Sequence, residues 1–275
     1  MSSTNPPRAL FFDVFGTVVD WRSSVTDGLH DAAQRRLAST APTANDVPSE
    51  VRAHITRLSR EDWAIFAQQW RDNYVVFTRT FHPQTGGWVS VDTHHRQSLQ
   101  SLLSQWQLDG FYSDAEITEL SRIWHFLTPW PDSPSGLTLL GQQGFTTATL
   151  SNGNVELLTD MAEKAGLTWT HVFSAEHFGA YKPHPSVYRG AAQKLGLAEQ
   201  ECAMVAAHLF DLKAAKSCGL QTIYVERDGE EECSAAEIQQ ARDAGWVDLW
   251  IGREQGEDGV LTVAERLGDA PRPPG

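Results

Sequence analysis

Positive charge, sulfur and long apolar runs are all scarce in this chain of 275 residues. Twenty-two Lys and Arg stand against 35 Asp and Glu, giving a formal net charge of -13. That balance lacks the clustered cations that grip a phosphate backbone, so no nucleic-acid partner is expected. No apolar run approaches the ~20 residues that span a bilayer, so no membrane association is expected either. The three cysteines, Cys202, Cys218 and Cys233, are odd in number and lack metal-ligand spacing, which points to a reduced, cytoplasmic setting. Residues 1–8 are polar and proline-containing, without the apolar stretch of a secretory signal. No internal repeat is visible. What is present is ordinary for a globular protein: 41% hydrophobic and 21% charged residues, in a chain long enough for one large domain or two smaller ones.

The second half alternates strand and helix patterns. Strands are expected over 145–150, 202–206 and 221–225. Helices are expected over 155–165, closed by Gly166, over 187–195, closed by Gly196, and over 211–217, ended by Cys218 and Gly219. Strands separated by helices of this length form βαβ units on a parallel sheet. Residues 23–37, 49–80, 94–105 and 114–126 favour helix instead, with loops over 42–48 and 82–88. The plan is an α/β fold in which residues 1–20 and 129–275 make a core and residues 21–128 a helical insert after the first strand. Residues 128–132 read as a stiff, proline-bounded return linker, 229–233 as an acidic surface loop, and 269–275 as a disordered tail. Trp63, Trp70, Trp106 and Trp124 fall on the helical stretches and are read as core.

Four segments carry chemistry. Leu10-Phe11-Phe12-Asp13 is a buried strand that delivers a carboxylate to the carboxyl end of a sheet, where open α/β folds bind ligands. Leu150-Ser151-Asn152-Gly153 is a strand end that offers a hydroxyl and backbone N–H groups to an anion. Tyr181-Lys182-Pro183 places a cation before a proline-stiffened helix start that also carries Tyr188. Ala206-Ala207-His208-Leu209-Phe210-Asp211 again sets an acid beyond a buried strand.

In order and placement these segments resemble the haloacid dehalogenase superfamily, and most closely its type II (L-2-haloacid) dehalogenases. The resemblance covers roughly residues 9–267. It implies a Rossmann-like core with a helical cap closing over Asp13 as nucleophile. Superfamily phosphatases carry a second aspartate two residues later, which protonates the leaving group. Phe15 stands there instead, and Ala206-Ala207 stand where a metal-binding Gly-Asp is usual. Both absences imply chemistry with no metal and no organic cofactor on a leaving group that needs no proton, such as halide. The implied catalytic residues are Asp13, Thr17, Arg71 (from Trp70-Arg71 on the cap), Lys182, His208 and Asp211. Phe15, Ser151, Asn152, Tyr188 and Phe210 would contact the substrate. Asp13 attacks the carbon bearing the halogen, and a water activated near Asp211 and Lys182 opens the aspartyl ester to give a 2-hydroxy acid. His208 replaces an asparagine of the compared enzymes, and is either a base for that water or an anion site. Homodimers are common among such enzymes.

Plainer readings stay open at this stage. Asp13, Ser151, Asn152 and Asp211 are also what turn and helix caps look like. Arg71 shares its stretch with Arg57, Arg60 and Arg79. A hydrolase acting on another electrophile such as an ester or epoxide, a Mg²⁺-dependent phosphatase, and a catalytically silent binding protein are the rival functions.

Overall fold

Every residue of β1 (Ala9–Phe12) is buried, as befits an apolar strand covered on both faces. The computed structural model describes residues 5–39, 47–84, 86–253 and 258–268. The tail over 269–275 and most of the loop expected over 42–48 lie outside the described residues. After β1 come β2 (Val19–Asp20) and the helices α1 (Trp21–Ala38), α2 (Ser49–Ile55), α3 (Arg60–Thr80), α4 (Val91–Gln105) and α5 (Asp114–Ser121). Next are β3 (Thr128–Pro129), α6 (Ser133–Gln142), β4 (Thr146–Ser151), α7 (Val155–Ala165), β5 (His171–Ser174) and α8 (Pro185–Lys194). The chain continues through β6 (Cys202–Ala206), α9 (Leu209–Ser217), β7 (Gln221–Val225), α10 (Ala235–Ala244), β8 (Leu249–Ile251) and α11 (Gly259–Gly268).

The chain divides into two compact units, one of Met1–Asp20 with Thr128–Gly275 and one of Trp21–Leu127. The first holds a six-stranded, wholly parallel sheet in the order β5-β4-β1-β6-β7-β8. This is the Rossmann-like α/β arrangement, and its order reverses at β1, which lies between β4 and β6. A parallel doubly wound sheet binds ligands at the carboxyl ends beside such a switch. The loop that leaves β1 there is held from several sides. Trp130 Nε1 donates to the Gly16 carbonyl at 2.9 Å, Ser133 Oγ to Val18 O at 2.8 Å, and Arg227 Nε to Thr17 O at 3.0 Å. Arg227 is itself fixed by Asp132, which accepts from both of its terminal nitrogens at 2.7 and 2.8 Å.

The second unit is helical among its described residues. Residues 49–80 are not one helix. Ser59 accepts from Asp62 N while Asp62 accepts from Ser59 N, a reciprocal cap that starts α3 afresh. Helix α5 stops at Ser121 and gives way to a tighter 3₁₀ turn, Arg122–His125. Residues 128–132 are not merely a linker, because β3 pairs antiparallel with β2. Trp63, Trp70 and Trp124 are buried, with the Trp70 and Trp124 rings edge to face at 5.5 Å.

Candidate active site

Asp13 directly follows β1, and its position is set by its own N–H, which donates to Val205 O at 3.0 Å. Its side chain is almost buried and both oxygens accept hydrogen bonds. Lys182 Nζ donates to Oδ1 at 2.9 Å, Thr17 Oγ1 donates to Oδ2 at 2.9 Å, and His208 Nδ1 lies 3.2 Å from Oδ2. Thr17 is oriented in turn by the Ala207 N–H, which donates to its hydroxyl at 2.9 Å. The Gly16 turn between these residues has φ +84°, a conformation glycine adopts without strain.

Lys182 bridges two acids, reaching Asp211 Oδ2 at 2.5 Å. The other Asp211 oxygen accepts from the Tyr188 hydroxyl at 2.5 Å. Burial by itself would raise the Asp13 carboxyl, but the Lys182 ammonium and His208 outweigh it and hold Asp13 well below the usual carboxylate range. Burial would likewise depress Lys182, yet the charges of Asp13 and Asp211 raise it above its ordinary value. Asp211 goes the other way: burial, with the Asp13 charge adding to it against Lys182, pushes it up. Asp13 is therefore the firmly ionised member of the pair.

The remaining expected residues fall in three places. Asn152 is turned to the backbone of Lys182. Its Oδ1 accepts from Lys182 N at 2.7 Å and its Nδ2 donates to Lys182 O at 3.3 Å, a two-point grip on the lysine backbone. Ser151 Oγ accepts from Gly153 N at 3.2 Å within its own turn, and Tyr188 is fully buried behind Asp211. Phe15 is buried, whereas Phe210 is 41% exposed, with its ring 5.6 Å from that of His208. Arg71 belongs to the helical unit, where its guanidinium lies over the rings of Tyr74 and Trp21 at 4.7 and 5.4 Å.

One residue of the cluster escaped the sequence reading. The stretch 229–233 is not simply an acidic surface loop: Glu230 is 5% exposed, and its Oε2 lies 3.5 Å from His208 Nε2. Glu231 from the same stretch accepts from Leu209 N at 2.8 Å, capping α9. Asp228-Gly229-Glu230-Glu231-Glu232 looks solvated because its charges repel in sequence. The compensating histidine and helix terminus are more than 20 residues away, so no local pattern could have found them.

No metal-binding group of three or more His, Cys, Asp or Glu side chains occurs among the described residues. Ala206 and Ala207 bring no oxygen ligand from their side chains, and the ammonium of Lys182 already lies between the two buried aspartates. The residues present do not fit a hard divalent cation.

Comparison with known proteins gives a consistent picture. A family model for haloacid dehalogenase-like hydrolases matches residues 7–219. The chain is 26% identical to (S)-2-haloacid dehalogenase 1 of Pseudomonas sp. (strain CBS-3), over 81% of this chain and 86% of that protein. It is 27% identical to haloacetate dehalogenase H-2 of Moraxella sp. (strain B), over 52% of this chain and 64% of that relative's length. Among solved structures, a defluorinating L-2-haloacid dehalogenase is 31% identical, with a TM-score of 0.75 and 95% of each chain covered.

Proposed function

The chain belongs to the haloacid dehalogenase-like hydrolases, and on that premise we propose that it hydrolyses short 2-haloalkanoic acids to 2-hydroxy acids through an ester on Asp13. The observation that carries the reading is the state of Asp13. It is a buried carboxylate kept ionised by Lys182, with apolar Phe15 where a proton donor would serve a phosphate ester. An ionised, partly desolvated carboxylate is a competent nucleophile toward an alkyl halide. Halide departs as an anion and needs no proton.

In the first step an Asp13 oxygen attacks the carbon bearing the halogen from the side opposite to it. The C–O bond forms as the C–X bond breaks, and the configuration inverts. Thr17 and Lys182 hold the carboxylate in line, and such orientation lowers the barrier by several kcal/mol on general grounds (about 7 or more in the best cases). In the second step water attacks the ester carbonyl of Asp13, so that the hydroxy acid leaves and the carboxylate is restored. The proposed reaction draws on no metal, in keeping with the misfit of the donor set. Arg71 is proposed to receive the halide.

The test is halide release from racemic 2-chloropropionate, chloroacetate and fluoroacetate in EDTA, beside an aryl phosphate with Mg²⁺. Halide release in EDTA, abolished in Asp13→Ala, is the expected result. Phosphate release with Mg²⁺ and no halide would overturn the reading. Silence in both arms would overturn it too, in favour of another electrophile.

A further inference from the structure

We propose that His208 is the base that activates the ester-cleaving water and that Glu230, buried behind it, is the residue that positions it. The assignment rests on the aspartyl-ester reading above and deepens it. The geometry is a line of three side chains, with Asp13 Oδ2 3.2 Å from His208 Nδ1 and His208 Nε2 3.5 Å from Glu230 Oε2. All three are nearly excluded from solvent, with side chains 12%, 7% and 3% exposed. A carboxylate buried to that degree is costly unless a partner compensates it, and the second nitrogen of His208 faces it. The backbone makes room for the arrangement. A Cβ at Gly16 would stand 2.0 Å from Glu230 Oε2, so the turn that follows the nucleophile admits only glycine while Glu230 stays in place.

Asp211 is the other acid at hand, and its surroundings disqualify it. Its two oxygens are taken by Lys182 and Tyr188 at 2.5 Å each. The Lys182 ammonium also stands between it and Asp13. A ring nitrogen of His208, by contrast, touches the atom next to the carbonyl carbon under attack. A base oriented by an acid on its far nitrogen is a recurrent catalytic device, because the acid selects the tautomer and stabilises the imidazolium that forms. Contacts of this kind are often long before substrate binds.

The protons balance. In the ester state Glu230 accepts from Nε2–H, which leaves the Nδ1 lone pair facing the ester. Water adds to the Asp13 carbonyl carbon as one of its protons passes to Nδ1. The tetrahedral adduct then collapses, breaking the bond to the alkoxide oxygen of the substrate, and Nδ1–H protonates that oxygen. The new Asp13 carboxyl gives its proton back to Nδ1, and one proton per turnover leaves with the halide.

The experiment compares the pre-steady-state burst with steady turnover of 2-chloropropionate in the full-length protein, as wild type, His208→Asn and Glu230→Gln. Mass spectrometry of the peptide bearing Asp13 is read in parallel. His208→Asn is expected to release one halide per site on the wild-type time scale and then to turn over at least about 100-fold more slowly. The ester on Asp13 should accumulate. The near-isosteric Glu230→Gln should show the same burst with turnover slowed roughly 10-fold or more. Wild-type turnover in His208→Asn would overturn the assignment to His208, and wild-type turnover in Glu230→Gln the one to Glu230. So would burst and turnover slowed together with no trapped ester, since that is what mere structural damage produces. A wild-type protein that releases no halide would overturn the parent reading and this one with it.

Discussion

At the scale of single residues, the site is a set of charges that hold one another in place. The Asp13 pKa is depressed, so its contribution to stability is present above the ordinary carboxylate value near 3.8 and is lost as pH falls below it. Lys182 is raised and keeps its proton far above neutrality. The halide burst should therefore keep its rate from about pH 5 to about pH 9, as measured by rapid quench. An inflection of that rate inside the window would show that another group controls Asp13. Asn152 acts on the backbone instead, where its two bonds hold Lys182 in place. Asn152→Ala leaves those buried backbone groups unpaired and should cost about 1–3 kcal/mol in denaturant unfolding, with kcat falling as the lysine loosens. Unchanged stability would show that the grip contributes nothing.

At the scale of elements, the helices are set by caps and by what their faces bury. In the helical unit, α4 carries His95 into an aromatic cluster, stacked on Trp124 at 4.6 Å and edge to face with Trp70 at 5.8 Å. Burial, together with the charges of His94, Arg71 and His125, holds His95 far below the usual imidazole value. Burial alone takes His94 down to about 4 against one stabilising backbone bond. A histidine whose folded pKa is depressed is neutral in the fold but binds a proton once unfolded, so stability falls as pH drops below about 6.5. His95 should cost roughly 1 kcal/mol per pH unit below that point. Urea unfolding at pH 7.5 and 5.5 measures the loss, and His95→Phe should flatten the slope. An equal slope in that variant would refute the account. In the α/β unit a close approach decides the packing of α6 on α11, because a Cβ at Gly136 would lie 2.6 Å from the backbone of Val260 and Leu261. Gly136→Val should therefore force these helices apart and lower the thermal midpoint, a change read by calorimetry.

At the scale of the whole molecule, function follows from which groups the sheet brings to one place. Phe15→Asp, which restores a carboxylate where phosphatases of the superfamily have one, should not create Mg²⁺-dependent phosphatase activity, since Ala207 offers no ligand and Lys182 already bridges the acids. Robust turnover of an aryl phosphate by that variant would refute this view of the site. Much was legible in the sequence because the physics is local. The apolar runs of β1, β6 and β7 declare buried parallel strands, Gly166 stops α7 in a left-handed turn, and Asp13, Thr17, Lys182, His208 and Asp211 stand at strand ends or helix starts. Short or polar-ended elements were not legible. β5 begins on exposed His171 and β8 has three residues, whereas α10 does open on a Ser234–Glu237 capping box that the sequence reading passed over. The sequence by itself determined that a carboxylate, a lysine and a second acid lie at the ends of a parallel sheet, because strand and helix periodicity needs only near neighbours. Only the tertiary structure decided that Asn152 grips Lys182, that Asp211 is closed off by Lys182 and Tyr188, and that Glu230 turns inward to His208. Those are contacts between segments 22 to 30 residues apart or more, and what selects them is the need to compensate charges buried together.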